Sequence, residues 1–287
     1  MTRRAARPAR RRHLRWVLAA GCLLVAAALP AGSPAVGDGQ PGPLRMLQMN
    51  LCNSGLAGCY TGRAVDRAGE VIRAEAPHLV TLNEICREDI GPLERDLADV
   101  HHGGAVVASF QAASDRRTGG PSRCRNGQEY GIGLLAHLPS GQRGHTTYRG
   151  LFPAQDPIDP EERAWLCLHA PGAFHACTTH LAAFDSAAAL AQCVHLFGTA
   201  IPALHSATRR QPTLVGGDLN LRFGGTPDLR DCVPPDYQRL DGTGVQQILT
   251  TADVSVGPVR RIDMAGTTDH PGVLVSLTVN RPPDRST

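Results

Sequence analysis

Lysine is missing from this sequence altogether: all 29 basic residues in its 287 are arginine, a bias of genome composition rather than of chemistry. Aromatic residues are scarce as well, at 4% against 42% hydrophobic, so the core must be mostly aliphatic and rich in alanine. None of the nine cysteines forms a C-x-x-C pair, which speaks against a zinc site, and a cysteine nucleophile has no more support. No internal repeat or low-complexity domain is present, and the length suits one large α/β or α+β domain. The one long apolar run, Trp16 to Leu29, is too short for a comfortable membrane span, and no span is expected in the mature chain.

That run has a different use. Arg3, Arg4, Arg7, Arg10, Arg11, Arg12 and Arg15 precede it as a basic n-region, and Pro30-Ala-Gly-Ser-Pro-Ala35 follows it with small residues and prolines. Together they read as a signal peptide over 1–31, cleaved near 31–35, and they predict a secreted protein. Alternatives are a membrane anchor retained through this segment, lipidation of Cys22, and a twin-arginine signal around Arg11-Arg-His-Leu14. A Gly/Pro-rich leader is expected over 32–43 and a disordered tail over 281–287. Removing the seven signal arginines leaves 22 basic against 26 acidic residues, a net of −4. The formal +3 of the whole chain therefore says nothing about a polyanionic partner, and bulk charge does not make the mature surface a nucleic-acid binder.

Besides Cys22 there are eight cysteines, an even number in a chain read as exported, and four disulfides are expected. The pairs chosen are Cys52–Cys59 around a Gly-containing loop, Cys167–Cys177 across a hairpin, and Cys86–Cys124 and Cys193–Cys232.

The remaining chain alternates strands and helices. Strands are predicted at 44–51, 78–84, 105–110, 130–137, 164–169, 174–181, 213–215, 245–250 and 272–279. Helices are predicted at 63–76, stopped by Pro77, at 89–99, and at 186–204. In the last of these Leu190, Val194, Phe197, Ile201 and Leu204 form an apolar stripe and Ser186 is the expected cap. Residues 111–129, 139–160 and 221–244 read as loops, the first carrying Arg116, Arg117, Arg123 and Arg125. Hairpins mixed with long crossovers imply two packed mixed β-sheets flanked by helices.

The chain is organised around Thr213-Leu-Val-Gly-Gly-Asp-Leu-Asn220. A short buried strand leads into two glycines that allow a close approach or a sharp bend, then into Asp218 and Asn220. If the strand runs on, both side chains leave one face and can hold a water or a phosphate oxygen; a Gly-rich turn with two turn formers is the plainer reading. Other strands end the same way, with Asn50, Glu84 and His180, and Asp269-His270 precedes the last strand. Taken singly these are strand-end hydrogen bonders, a solvated carboxylate, a core histidine and a turn. Taken jointly they offer oxygen ligands for a hard cation such as Mg²⁺ and histidines that move protons or donate to phosphate.

The ordered motifs Gln48-Met-Asn50, Leu82-Asn-Glu84, Tyr130-Gly-Ile-Gly-Leu-Leu135, Thr179-His180-Leu181, Gly217-Asp-Leu-Asn220 and Thr268-Asp-His270 resemble the endonuclease/exonuclease/phosphatase superfamily, the deoxyribonuclease I-like group. The resemblance covers about residues 44–280 and implies a four-layer α/β-sandwich. It implies metal ligation by Asn50, Glu84 and Asp269, with Mg²⁺, Mn²⁺ or Ca²⁺ as cofactor. It implies catalysis by His180, Asp218, Asn220 and His270, and substrate contact by Arg163 and Tyr130. The activity implied is metal-assisted phosphodiester hydrolysis by an in-line water, as a nuclease acting alone on nucleic acid and needing no stable protein partner. A lipid or small-molecule phosphodiesterase of sphingomyelinase type is the alternative, for which no convincing exposed apolar hairpin is visible. A non-catalytic exported binding protein is the other class. Three positions depart from the family pattern: Gln246 stands where an Asp orients the catalytic His, Ile132 where many relatives have Asn, and Thr268 where they have Ser. Asp263 is a candidate substitute for the missing acid.

Overall fold

The structure is a computed structural model and describes residues 43–280 except 143 and 241–243. The expected signal peptide, Cys22, the expected leader up to 42 and the expected tail lie outside the described residues.

Elements follow in chain order. They are β1 Leu44–Asn50, α1 Ala64–Glu75, β2 Leu79–Cys86, α2 Ile90–Asp99, β3 Ala105–Ala112, the short β4 Ser114–Asp115 and β5 Gly120–Pro121, and β6 Tyr130–Leu138. Then come β7 Thr146–Leu151, β8 Glu161–Glu162, β9 Ala164–Ala170, β10 Phe174–His180, α3 Ser186–His195 and α4 Ile201–Ala207. The chain closes with β11 Thr213–Asp218, β12 Tyr237–Gln238, β13 Gln246–Thr251, β14 Val254–Ile262 and β15 Gly272–Val279. Two six-stranded mixed sheets result, in the orders β14-β15-β1-β2-β6-β3 and β12-β13-β11-β10-β9-β7, with a small third sheet β5-β4-β8.

Each long strand alternates its side chains between two apolar layers, as the period of two demands. Met46, Leu79, Leu134, Leu168, Leu214, Ile248 and Val275 meet between the sheets. Leu47, Met49, Val80 and Leu82 turn outward onto Ala68, Val71 and Ile72 of α1 and Leu93 and Leu97 of α2. Val215 and Leu249 turn outward onto Leu196, Phe197, Ile201 and Leu204. The architecture is thus the four-layer α/β-sandwich expected, with parallel pairs β1–β2 and β10–β11 joined by helical crossovers.

Towards one end of the sandwich the inner face changes chemistry. Along β1 it reads Met46, Gln48, Asn50; along β2, Leu79, Thr81, Asn83; along β10, Ala176, Thr178, His180; along β11, Leu214, Gly216, Asp218. Above the apolar core lies a buried amide layer. Gln48 Nε2 donates to Asn83 Oδ1 at 2.7 Å and, across the sheets, to Gln246 Oε1 at 3.0 Å, and Thr81 Oγ1 donates to Gln48 Oε1. Gly216 is required there: a Cβ at this position would lie 2.4 Å from Thr81 Oγ1 and 2.5 Å from Met46 Cε of the facing sheet. The first glycine of the pair therefore serves close approach, not a bend.

Four expectations need correction. Strands β7 and β14, and the two-residue strands β4, β5, β8 and β12, were not expected. Thr146–Leu151 is an exposed edge strand within a Gly/Pro-punctuated stretch, and β14 carries Gly257-Pro258 at its register shift between Val256 and Val259, which hides its alternation. The cap of α3 is Asp185, whose carboxylate accepts from the Ala187 and Ala188 amides, and not Ser186. The apolar stripe slips because Leu196–Ala200 forms a π-helical turn between α3 and α4, leaving Val194 exposed while Ala189, Cys193 and Leu196 are buried. Finally, β11 ends at Asp218, and Asn220 sits at φ +48°, so the two side chains do not share a strand face.

All four expected disulfides are present: Cys52–Cys59, Cys86–Cys124, Cys167–Cys177 and Cys193–Cys232, with Cα atoms 4.0 to 6.1 Å apart. They suit an oxidising compartment.

Candidate active site

The polar strand ends open into a cavity of about 910 Å³ lined by Glu84, Tyr130, Arg163, His180, Asp218, Asn220, Asp269 and His270, eight of the nine expected site residues. The ninth, Asn50, lies just beneath. Its Nδ2 donates to Glu84 Oε1 at 2.8 Å and to Asp218 Oδ2 at 3.2 Å, so one amide ties a carboxylate from each sheet, and its Oδ1 accepts the Cys52 amide at 3.1 Å. Thr268 Oγ1 donates to the Asn50 carbonyl at 2.9 Å, which fastens the last motif to the first.

Local backbone geometry aims Glu84. The pairing of β2 with β6 breaks between Leu82 and Ile85, and Glu84 adopts φ +56° in that bulge. A bulge re-aims a strand side chain, and Glu84 is one of five non-glycine residues at positive φ among the described residues. Its carboxyl is raised above the usual glutamate range, chiefly by burial and further by the charges of Asp218 and Asp269.

Asp218 is fully enclosed. Its amide donates to Asn83 Oδ1 at 2.8 Å, its Oδ1 accepts from the Asn220 amide at 3.1 Å, and its Oδ2 lies 3.6 Å from His270 Nε2. Gln246 donates its Nε2 to Asp218 Oδ2. Position 246 therefore addresses Asp218 and not His270, a correction to the role expected for it. Asp263 is exposed and caps the Ala265 amide, so it replaces nothing in the site. Asp269 lies 3.8 Å from His270 Nε2 on the solvent side. Asn220 donates Nδ2 to the Leu181 carbonyl at 2.9 Å.

On the other wall His180 is buried and its imidazole is held far below the usual histidine range by burial, helped by Arg163 and His270. It is a neutral ring with one N–H to give. Arg163 is 4% exposed, 3.1 Å from Asp159 and 3.2 Å from Glu161, yet its Nε and Nη1 have no hydrogen-bond partner. Burial pushes Glu161 up to about 7 and keeps Tyr130 protonated. The arginine-rich segment is not a uniform strip. Arg117 and Arg123 line the cavity, the former paired to Asp115, whereas Arg116 turns to the Asp156 and Asp159 carbonyls.

Residues missed at the sequence level fall in two groups. Gln48 and Asn83 join Gln246 in the buried amide layer, and their only signal was alternation within motifs otherwise noted for Asn50 and Glu84. Leu56, 64% exposed, and Phe184, 84% exposed, line the cavity mouth, and Ile158, 91% exposed, adjoins Asp159 of its lining. These apolar tips sit on separate loops rather than a hairpin, which is why no apolar hairpin was visible. The one group of potential metal ligands drawn within 4.8 Å of one another among the described residues is Cys52, Cys59 and Asp269, and the disulfide denies it its sulfurs.

No family model matches this chain, and no curated protein matches it. Solved structures do. An endonuclease/exonuclease/phosphatase from Beutenbergia cavernae aligns with TM-score 0.60 and 19% identity over 83% of this chain and 72% of that one. The human Nocturnin catalytic domain with bound sulfate aligns with TM-score 0.60 and 15% identity over 82% and 93%. An endonuclease/exonuclease/phosphatase from Bacteroides vulgatus aligns with TM-score 0.57 and 14% identity over 83% and 99%. At these identities the shared property is the fold: this chain has the endonuclease/exonuclease/phosphatase α/β-sandwich.

Proposed function

We propose that this protein is an exported, divalent-metal-dependent phosphodiester hydrolase that cuts nucleic acid by in-line attack of water, acting as a monomer. The observation that carries the reading is the bridge from Asn50 Nδ2 to Glu84 and Asp218, with His270 3.6 Å from Asp218, at the floor of a cavity walled by His180 and Arg163. The fold neighbours support the same chemistry.

The donor set fits a hard cation. Glu84 and Asp218 face each other from the two sheets and Asp269 lines the same cavity, the charges of the two aspartates contribute to the raised Glu84, and no arginine among the described residues is ion-paired to Glu84 or Asp269. Glu84 and Asp269, with Asn50 beside them, would hold Mg²⁺ or alternatively Mn²⁺ or Ca²⁺, all of which take oxygen ligands. Such an ion neutralises the acids and polarises a phosphoryl oxygen. The chain's own groups do the rest. Asp218 and His270 take the proton of the attacking water at the His270 side. The neutral His180 donates its N–H to a phosphate oxygen, and the unpartnered Nε–H of Arg163 is available to another. Asn220 retains one amide N–H for the same purpose. Donors fixed before the charge develops are worth far more than flexible ones. A lipid phosphodiester is a second reading, favoured by the apolar tips at the mouth.

The test is hydrolysis of single-stranded and plasmid DNA, RNA and sphingomyelin by the oxidised protein, with Mg²⁺ or EDTA, beside Asp218→Ala and His270→Ala. EDTA-sensitive nucleic-acid cleavage lost in both variants is expected. Turnover of lipid alone moves the substrate, and a folded protein that neither binds Mg²⁺ nor cleaves anything is a binding protein.

A further inference from the structure

Phe184 is the one exposed phenylalanine among the described residues of a chain that is only 4% aromatic. It is also firmly placed. Upstream, the Leu181 amide donates to the Asp218 carbonyl at 3.0 Å, the Leu181 carbonyl accepts from Asn220, and the Ala182 amide donates to Gln192 Oε1 at 2.8 Å. Downstream, Asp185 caps α3 through two amides. Only Ala183 and Phe184 lie between these anchors, so the ring projects from a short, pinned turn into the cavity that holds His180, Asp218 and His270. Leu56 lines the same cavity from the loop closed by Cys52–Cys59, and Arg117, Thr118, Ser122 and Arg123 give it a polar flank.

A preset apolar ring beside a phosphate site, with cationic and hydroxyl groups within one cavity, suits a ligand with a flat apolar face, a polar edge and an attached phosphate. Resting on the nuclease reading above, we propose that Phe184 is a stacking platform for an unpaired nucleobase of the substrate, so that the enzyme selects single-stranded or extruded nucleotides over intact duplex. Every base offers a π-face, so such a platform binds without reading sequence. A duplex keeps its bases stacked on each other and must pay for extrusion. A bilayer is the poorer occupant. Asp185 adjoins Phe184 and caps α3 through its carboxylate, so insertion of the ring into a bilayer would desolvate a charged cap.

The test compares wild type, Phe184→Ala, Phe184→Trp and Phe184→Leu on a single-stranded oligonucleotide, its abasic counterpart and the same sequence as duplex, with Mg²⁺. Phe184 is exposed, and circular dichroism confirms folding of each variant. Stacking predicts a KM on the single strand raised about tenfold in Phe184→Ala, in line with the loss of one base–aromatic contact. It also predicts kcat within about twofold, no effect on the abasic strand, recovery in Phe184→Trp and none in Phe184→Leu. Equal KM for wild type and Phe184→Ala on the single strand overturns the stacking role while leaving the nuclease reading intact. Recovery in Phe184→Leu, or binding to sphingomyelin–phosphatidylcholine vesicles that is lost in Phe184→Ala and Ile158→Ser, assigns the tips to a lipid surface and overturns it too. Absence of Mg²⁺-dependent cleavage of every strand by wild type overturns the nuclease reading and the inference built on it.

Discussion

Replacing Gly216 by alanine adds one methyl group at the tightest point between the sheets. The new Cβ would lie 2.4 Å from Thr81 Oγ1 and 2.5 Å from Met46 Cε, against the 3.4 Å or more of an ordinary contact, so about 1 Å of separation has to be found. Met46 Cε ends a flexible side chain but is enclosed in the inter-sheet core, and Thr81 Oγ1 sits on a short branched side chain engaged by Gln48, so the Thr81 contact is the one that cannot swing aside. Overpacking of this kind costs about 1–3 kcal/mol, and losing the Thr81–Gln48 hydrogen bond adds about 1 kcal/mol. The expected loss is therefore about 2–4 kcal/mol in urea unfolding. Asp218 lies two residues along the same strand, and a displacement approaching 1 Å there should lower kcat about a hundredfold. Gly198→Ala is the internal control: its Cβ meets nothing within 4 Å and it lies in the helical turn Leu196–Ala200, so it should be neutral or stabilise by up to about 1 kcal/mol. If Gly216→Ala unfolds at the wild-type urea midpoint with the same m-value, the argument that the glycine exists for close approach is wrong.

Two other predictions rest on separate parts of the fold. His78 packs against His101 and His137, and His175 against His169 and His205, at ring separations of 4.7 to 6.1 Å. Burial first, then the neighbouring histidines, brings His78 and His175 down to about 4. A base depressed in the folded state is protonated first in the unfolded chain, so stability is full above about 6.5 and drains as pH falls from there towards 4. Allowing for partial solvation, each should contribute about 1–2 kcal/mol to that loss. The raised Glu84, Asp89 and Glu161 carboxyls act in the opposite direction, gaining protons on folding as pH falls, so the histidine contribution is read as a difference. Urea melts of wild type and His175→Leu at pH 7.5 and 4.5 should show a smaller acid loss in the variant. Asp185→Ala should cost about 1 kcal/mol by removing the cap of α3, and Ser186→Ala should cost nothing measurable, by thermal melting of both.

Much of the sandwich was legible because its strands alternate or run apolar between turn residues, and its first two helices carry plain stripes ended by Pro77 and by the Asp99–Val100 turn. Alternation failed where an edge strand is exposed on both faces, as in Thr146–Leu151, or broken by Gly257-Pro258, as in β14. The stripe of α3 was misphased because a π turn inserts a residue into the 3.6 period, which no count of spacings signals in advance. The candidate site was legible for a related reason: its residues end successive strands, and strand ends on one edge converge whatever the connecting loops do. What could not be read was orientation. Gln246 was placed in the correct strand but given the wrong neighbour, since sequence fixes the face of a strand more readily than which of two facing groups a long side chain reaches.

That neighbour changes what the departure at 246 means. An aspartate there would set a second carboxylate against the buried Asp218, and two acids so placed cannot both ionise without a proton or a cation between them. Gln246 instead gives an N–H to Asp218 Oδ2 and receives one from Gln48 at its Oε1. The amide thus carries the hydrogen-bonded layer of Gln48, Thr81 and Asn83 up to the carboxylate without adding charge. Asp218 is left facing Asn50, Gln246 and the Asn220 amide, all donors, and His270 lies 3.6 Å away. A carboxylate surrounded in this way keeps a fixed orientation towards a single histidine. The substitution therefore leaves in place the Asp218–His270 pair to which the proposed hydrolysis assigns proton removal from water.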